Sequence, residues 1–256
     1  MVMGPSHAMS GAASGAAVAV AAAYSTGIPV DATSTVVLAG VTAGAAVLPD
    51  LDHPSGTAAR TLGPVSHLLA VFINRASSMF AEATGAQDRR VGGHRTATHT
   101  LLFAAVTAIV TWCAVDLGDQ RVTIGIFAAL VLLALHSLVR PVIRKWGSVG
   151  AVVIAVILTL LVMRDMPGML SPSVMATAVA VGCVVHCAGD AVTRSGVPFF
   201  APFVPVGGDR WGAVHLLPGP LRIRAAGFGD TLAMGVFTAL LVGVCMVGWN
   251  HGLIVR

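Results

Sequence analysis

Three short clusters of histidine and aspartate hold side chains that could perform chemistry together. They span residues 48–54 (LPDLDHP), 94–99 (HRTATH) and 186–190 (HCAGD), and His7 precedes all three. Neutral imidazoles and carboxylates are suitable ligands for Zn²⁺, Mn²⁺ and Fe²⁺. The residue types therefore predict a site for one or two of these divalent ions. The candidate metal ligands are His7, Asp50, Asp52, His53, His94, His99, His186 and Asp190.

The aspartates of the first and third clusters stand at unfavourable positions. Asp50 and Asp52 follow the C-terminal end of one predicted helix, and Asp190 lies at the end of another. A helix C-terminus carries partial negative charge and disfavours each carboxylate by roughly 0.3–1 kcal/mol. A bound cation would compensate. His186 and Asp190 are four residues apart, so they share a helix face and could hold one ion.

Each cluster also has an ordinary structural explanation. Asp50 and Asp52 could form a solvated helix cap, and a histidine at a membrane edge is often an interfacial polar tip. His186 and Asp190 could be a hydrogen-bonded pair with no ligand. Ionisable groups close to a membrane favour function by default, and here several such groups occur together.

The elements that position these clusters are predicted to be membrane helices. The chain has 256 residues, of which 56% are hydrophobic and 10% charged, and its mean hydropathy is +0.86. Soluble domains have about 25% charged residues. This composition excludes a disordered chain, an ordinary soluble enzyme and a basic nucleic-acid-binding domain. The net charge of +4 is too small to indicate a nucleic-acid partner.

Seven apolar segments predict an all-α membrane protein, a bundle of about seven transmembrane helices in one multi-pass domain spanning residues 1–256. No Lys or Arg precedes the first segment, which favours a retained helix over a cleaved signal peptide. The four cysteines lie in apolar runs without a CxxC spacing, so no disulfide framework is expected. The seven segments are 8–24, 33–48, 99–115, 122–139, 148–163, 173–190 and 231–249.

The basic residues predict an orientation with the N-terminus in the cytoplasm and the C-terminus outside. This arrangement places 12 of the 15 Lys and Arg residues in cytoplasmic loops, as the positive-inside rule requires. Two of these cytoplasmic loops are long, at residues 49–98 and 191–230, and the stretch 65–80 in the first is predicted to be an interfacial amphipathic helix. The same topology places His7 and all three clusters at one depth on the cytoplasmic face.

Taken in order, the clusters resemble the YdjM-type family of membrane-bound metal-dependent hydrolases, also described as inner-membrane-associated hydrolases. The residues that carry the resemblance are His7, LPDLDHP at 48–54, HRxxTH at 94–99 and HxxxDxxTxxGVP at 186–198. The resemblance implies a multi-pass inner-membrane protein with a metal-dependent hydrolase activity.

The resemblance covers about residues 1–110 and 180–230, with two departures from the usual HRGxTHS pattern. Thr96 stands where the family commonly has glycine, which predicts a changed loop backbone beside the preceding arginine, and Thr100 stands where serine is common. The long gap between the second and third motifs predicts that residues 122–163 form an added helical hairpin.

The leading hypothesis is a hydrolase acting at the cytoplasmic membrane surface on phosphoester or lipid-derived substrates. Asp52 is the candidate general base, and Thr98 is expected to hydrogen-bond a ligand histidine or the substrate. Arg95 and Arg194 could hold a phosphate or a developing oxyanion. Two alternatives stay open, a metal or ion transporter and a non-catalytic scaffold with a structural metal. The expected partners are the lipid bilayer and a small-molecule or lipid substrate.

Overall fold

The computed structural model describes residues 4–56, 58–86, 94–224 and 227–256, without the side chains of residues 140–148. This part of the chain is mostly helical. Two short strands, β1 (Val30–Asp31) and β2 (Ile254–Val255), pair in parallel. The helices are α1 (Gly4–Thr26), α2 (Ala32–Ala45), α3 (Pro64–Ala83), α4 (Leu101–Leu117), α5 (Gln120–Leu138), α6 (Arg140–Asp165), α7 (Pro172–Ala191) and α8 (Phe228–Asn250).

The helical membrane fold is confirmed, since each of the seven apolar segments coincides with a helix. Five helical segments of the described chain are long and apolar enough to cross a membrane, and α4 is apolar but shorter. They are α1, α5, α7, α8 and the segment Ala32–Asp52, which joins α2 to the turns that follow it. The number of spans and the orientation of the termini stay predictions. Among the cations used to predict that orientation, Arg89 and Arg90 lie outside the described residues, as do the side chains of Arg140, Arg144 and Lys145.

Helix α1 lies inside the bundle and packs against α2, α7 and α8. Its glycines permit this close approach. A Cβ atom on Gly11 would stand 2.6 Å from the carbonyl oxygen of Thr42, and one on Gly15 would stand 2.7 Å from that of Leu38. Small residues at membrane helix interfaces serve this purpose. The close packing fixes the first turns of α1, where His7 is buried.

The helices define two ends of the bundle. The far end contains the α1–α2, α4–α5 and α6–α7 connections and the C-terminus of α8, where Val30 pairs with Ile254. The site end contains the long connections α2–α4 and α7–α8. Helix α5 packs against α2 and buries Phe127 in the core, while the suggestion that α5 and α6 are an added hairpin stays a prediction.

Helix α3 covers the site end with an unusual distribution of side chains. Its buried residues are small, namely Ser66, Ala70, Ser77 and Ala81. Many of its exposed residues are large and apolar, such as Phe72, which is 69% exposed, and they stand among exposed His67, Arg75 and Glu82. The helix predicted over residues 65–80 is therefore present, and it turns its apolar side outward. This is the arrangement expected of a helix lying in a membrane interface.

Candidate metal centre

Four segments bring the predicted clusters together at the site end. His7 lies in the first turns of α1, and a 3₁₀ turn, Pro49–Asp52, follows α2. A second 3₁₀ turn, Ala97–His99, precedes α4. The Thr100 hydroxyl accepts the Phe103 N–H and caps the start of α4, so the helix begins after His99. His186 and Asp190 occupy the last turns of α7. His99 thus stands just before its helix, not inside it.

Four ligand atoms from three of these segments surround one point. The Nε2 atoms of His99 and His186 are 3.1 Å apart. Oδ2 of Asp190 lies 3.4 Å from the first and 3.9 Å from the second. Oδ1 of Asp50 lies 3.9 Å from His99 Nε2 and 3.7 Å from His186 Nε2. Most of these separations exceed hydrogen-bond lengths.

These separations fit a metal ion. Ligands at about 2.0–2.1 Å from a tetrahedral ion stand roughly 3.3–3.4 Å from one another. The observed range of 3.1–3.9 Å encloses that value. The described residues also form two groups of three whose ligand atoms lie within 4.8 Å of one another, and each group could hold an ion. The groups are His7, His186 and Asp190, and Asp50, His94 and His99.

Hydrogen bonds fix which imidazole nitrogens face the centre of the site. Nδ1 of His186 lies 2.8 Å from the Ala46 carbonyl oxygen, which can only accept, so Nδ1 carries the proton. Nδ1 of His99 lies 2.9 Å from the Thr98 hydroxyl, which itself donates to Asp52. With Nδ1 engaged in both rings, Nε2 of each ring faces the centre of the site, where a shared cation could bind both nitrogens in place of a proton.

The charges around the site also favour the binding of a cation. Asp52 and Asp190 are almost fully buried, and Asp50 is 9% exposed. Arg95 offsets one of these charges, since Nη2 lies 2.6 Å from Asp190 Oδ1. Burial would lower the pKa of His99, but the carboxylates of Asp52 and Asp190 raise it to about 9. The cluster attracts positive charge, as buried carboxylates without enough partners must.

Asp52 is not one of the four facing ligand atoms' residues and instead accepts hydrogen bonds from the residues around them. Oδ1 accepts a 2.7 Å hydrogen bond from His94 Nδ1, and Oδ2 accepts from the Arg95 N–H at 3.1 Å and from the Thr98 hydroxyl. With donors on both oxygens, Asp52 orients His94 and, through Thr98, His99. Such outer partners set the tautomer and basicity of metal-binding histidines.

Arg95 has an uncommon backbone conformation. Its φ is +57°, the left-handed region that non-glycine residues rarely adopt. The departure at Thr96 predicted a changed loop backbone, and the positive φ falls one residue earlier. The conformation directs the Arg95 N–H at Asp52, while Nη1 donates to the Thr193 hydroxyl at 3.1 Å. Arg95 thus joins the carboxylates of two distant segments.

His7 and His94 retain unused nitrogens. The His7 ring stacks on His186 with ring centroids 3.8 Å apart, and its Nε2 lies 3.4 Å from Asp190 Oδ1. Three buried ring nitrogens make no hydrogen bond within the described part of the chain. They are Nδ1 and Nε2 of His7 and Nε2 of His94. Such groups normally have a partner, which a ligand would supply.

Two of the predicted site residues lie at the periphery. His53 is half-buried and its Nδ1 lies 3.0 Å from the Ser55 hydroxyl. Burial lowers the pKa of His53, and the neighbouring His94 lowers it further. Arg194 is exposed, and its backbone N–H donates to the carbonyl of Ile223.

Sequence reasoning did not identify two supports from α3. Asn74 donates to the Asp52 carbonyl at 2.7 Å, and the hydroxyls of Ser77 and Thr96 are 2.6 Å apart. Both side chains belong to the small or polar face of a helix whose other side is strongly apolar. That face was the available signal, because polar residues on an interfacial helix must meet either water or protein.

Comparison with known proteins gives one family. A family model described as YdjM inner membrane protein matches residues 1–139, which contain His7 and the first two clusters. The third cluster, His186 to Asp190, lies beyond the matched range. The comparisons with curated proteins and with solved structures gave no match. Since the match covers more than half of a chain with several apolar membrane-length helices, this protein belongs to the YdjM inner membrane protein family.

Proposed function

We propose that the protein is a metal-dependent hydrolase whose site lies at the cytoplasmic surface of the membrane. One observation carries the proposal. The Nε2 atoms of His99 and His186 face each other at 3.1 Å, with carboxylate oxygens of Asp50 and Asp190 within 3.9 Å. Zn²⁺, Mn²⁺ and Fe²⁺ suit this donor set, and the two groups of three leave room for one or two ions.

A divalent ion held by these residues would lower the pKa of a bound water and would polarise an ester or phosphoryl oxygen. The protein supplies the proton transfer. Asp52 holds Nδ1–H of His94, so the buried Nε2 of His94 is free to accept a proton or bind the ion. We propose that Asp52 acts through His94, and that Arg95 positions Asp190. Exposed Arg194 remains free to contact an anionic substrate.

The position of the cluster favours a hydrolase over a transporter. Transporter sites lie near the bilayer midplane, where both sides can reach them in turn. The present cluster stands beyond the end of α2, before the start of α4 and in the last turns of α7. A site at one end of the bundle suits a substrate that arrives from the membrane surface.

Metal analysis of the detergent-purified protein tests the proposal. We expect Zn, Mn or Fe in stoichiometric amount in the wild type and in His251→Gln, a matched change at the exposed far end. We expect His99→Gln to lose both the metal and phosphate release from phosphoesters. Full metal content in His99→Gln would refute the site. Metal retention without hydrolysis of any ester or phosphoester would identify a structural metal, and metal flux into vesicles would identify a transporter.

A further inference from the structure

A cavity lined by His7 lies beside the candidate metal centre. Its volume is about 250 Å³. Helix α1 forms the floor with Ser6, His7 and Ser10, while Gly189 of α7 and Phe237 of α8 stand on opposite walls. The walls are otherwise mostly aliphatic. The cavity therefore combines a small polar floor with apolar sides, immediately beside the metal centre.

The floor contains a hydrogen-bonding atom that has no partner in the described part of the chain. A metal-binding histidine normally donates its second ring N–H to an acceptor. His186 donates to the Ala46 carbonyl and His99 to the Thr98 hydroxyl, but Nδ1 of His7 has no acceptor although the residue is only 1% exposed. An oxygen atom of a ligand in the cavity would complete the pattern.

The backbone leaves space at this nitrogen. A Cβ atom on Gly189 would stand 3.4 Å from Nδ1 of His7, so the glycine opens the cavity against the imidazole edge. On the opposite wall, α8 packs on α1 and not closely on α7, which leaves a cleft between α7 and α8. The Ser6 hydroxyl bonds to the Asp230 carboxylate and fixes the start of α8 on α1.

The rim of the cavity has the character of a membrane surface. Leu216, which lines the cavity, is 58% exposed, and Ile223 lies beside it. Arg222 precedes Ile223, and the backbone of Arg194 bonds to the Ile223 carbonyl. Exposed apolar side chains beside arginines suit an anionic lipid headgroup. Two acids lie close to this floor, since Asp230 bonds to Ser6 and Asp190 Oδ1 lies 3.4 Å from Nε2 of His7.

We propose that the cavity binds an anionic membrane amphiphile of the lipid-phosphate class. A head oxygen accepts the His7 Nδ1–H beside the metal centre, and the aliphatic part leaves through the cleft between α7 and α8, past Ala233 and Phe237. This inference rests on the proposed function, since it names the substrate class of the same site. It explains why Nδ1 of His7 is buried without a hydrogen-bond partner from the described part of the chain.

The test fills the cleft from the wall that is remote from the metal ligands. Ala233→Phe adds a ring inside the lining, and Val236→Phe adds the same ring on the face of α8 that is 48% exposed. Native mass spectrometry of the purified full-length protein measures retention of dioleoyl phosphatidate, with glycerol 3-phosphate and dioleoylglycerol as probes lacking the chains or the phosphate. We expect one phosphatidate per chain in the wild type and in Val236→Phe, and at least tenfold less in Ala233→Phe.

Gly189→Ala is the second variant, in case Ala233→Phe does not fold. It adds one methyl group beside His7 Nδ1 and should lower phosphatidate retention several-fold. Equal retention in the filled variants and in Val236→Phe would overturn the inference, as would equal retention of dioleoylglycerol. Metal content should be unchanged in Ala233→Phe.

Parallel assays separate this inference from the proposed function. If the wild type retains phosphatidate, Ala233→Phe does not, and neither protein hydrolyses it, the lipid site is supported and the hydrolase is rejected. Metal-dependent cleavage of glycerol 3-phosphate without phosphatidate retention would support the hydrolase and reject the lipid site.

Discussion

The aspartates at the two ends of the bundle have different roles. At the far end, Asp31 caps α2 and accepts the Ser34 N–H at 2.7 Å, and Asp119 caps α5 and accepts the Arg121 N–H at 2.9 Å. A carboxylate at a helix N-terminus is favoured by the helix dipole. Burial would raise the pKa of Asp31, but the hydrogen bonds from Ser34 lower it below its usual value.

At the site end, three buried aspartates stand at the C-terminal ends of helices, which disfavour a negative charge. Asp50 and Asp52 follow the C-terminus of α2, and Asp190 lies in the last turn of α7. None of these acids caps its own helix, and all face imidazoles from other segments. Exposed Asp116 and Asp165 also lie at helix C-termini, at the far end, so position against the dipole does not by itself mark a ligand site. Burial among imidazoles from other segments is what distinguishes Asp50, Asp52 and Asp190.

The largest expected effect comes from Asp190→Asn. The change removes a metal ligand and the partner of Arg95, and breaking a buried ion pair costs about 3–5 kcal/mol. Thermal unfolding and metal analysis in detergent should show both losses. The double variant Asp190→Asn with Arg95→Met should regain stability, since no unpaired charge is left, but no metal. Metal retention in either variant would contradict the assignment of Asp190 as a ligand.

Metal removal should destabilise the site end next most strongly. A ligand present at about 100 times its dissociation constant stabilises the folded state by about 2.7 kcal/mol. We expect a chelator to lower the unfolding midpoint of the wild type and to leave Asp50→Asn nearly unchanged, because that variant lacks one ligand. If the unfolding midpoint of the wild type were the same with and without chelator, the site end would hold no stabilising metal and would not differ from the far end.

Thr98→Val should weaken metal binding by about 10- to 100-fold, the usual effect of losing an outer partner of a ligand. Valine keeps the shape but cannot link His99 Nδ1 to Asp52. Thr98→Ser is the matched control and should bind metal as the wild type does. Titration with Zn²⁺ or Mn²⁺ measures the effect, and equal affinities for the valine and serine variants would show that the hydroxyl link is unimportant.

The smallest effect is expected at the far end. Asp31→Ala should cost about 1 kcal/mol of stability through the lost helix cap. Its metal content and metal affinity should equal those of the wild type. Asp31→Asn retains a capping oxygen and should cost less. A loss of metal in Asp31→Ala would mean that the two ends are not independent.

Local pattern explains why much of the site could be predicted. His186 and Asp190 share one helix, so their spacing alone places them on one face. Apolar length predicted the helices, and alternating direction then placed the clusters at one end. The role of Arg95 could not be predicted, because its guanidinium reaches Asp190, 95 residues away, through a left-handed backbone conformation that no local pattern specifies.

The sequence by itself determined that this chain is a helical membrane protein with imidazoles and carboxylates gathered at one depth. Hydrophobic length and residue type are local properties, and both can be read along the chain. Only the tertiary structure decided that His99 and His186 face each other, that Asp52 bonds to His94 and to Thr98, and that His7 borders a cavity. Those facts depend on side-chain directions and helix packing, which arise from contacts between segments far apart in the chain.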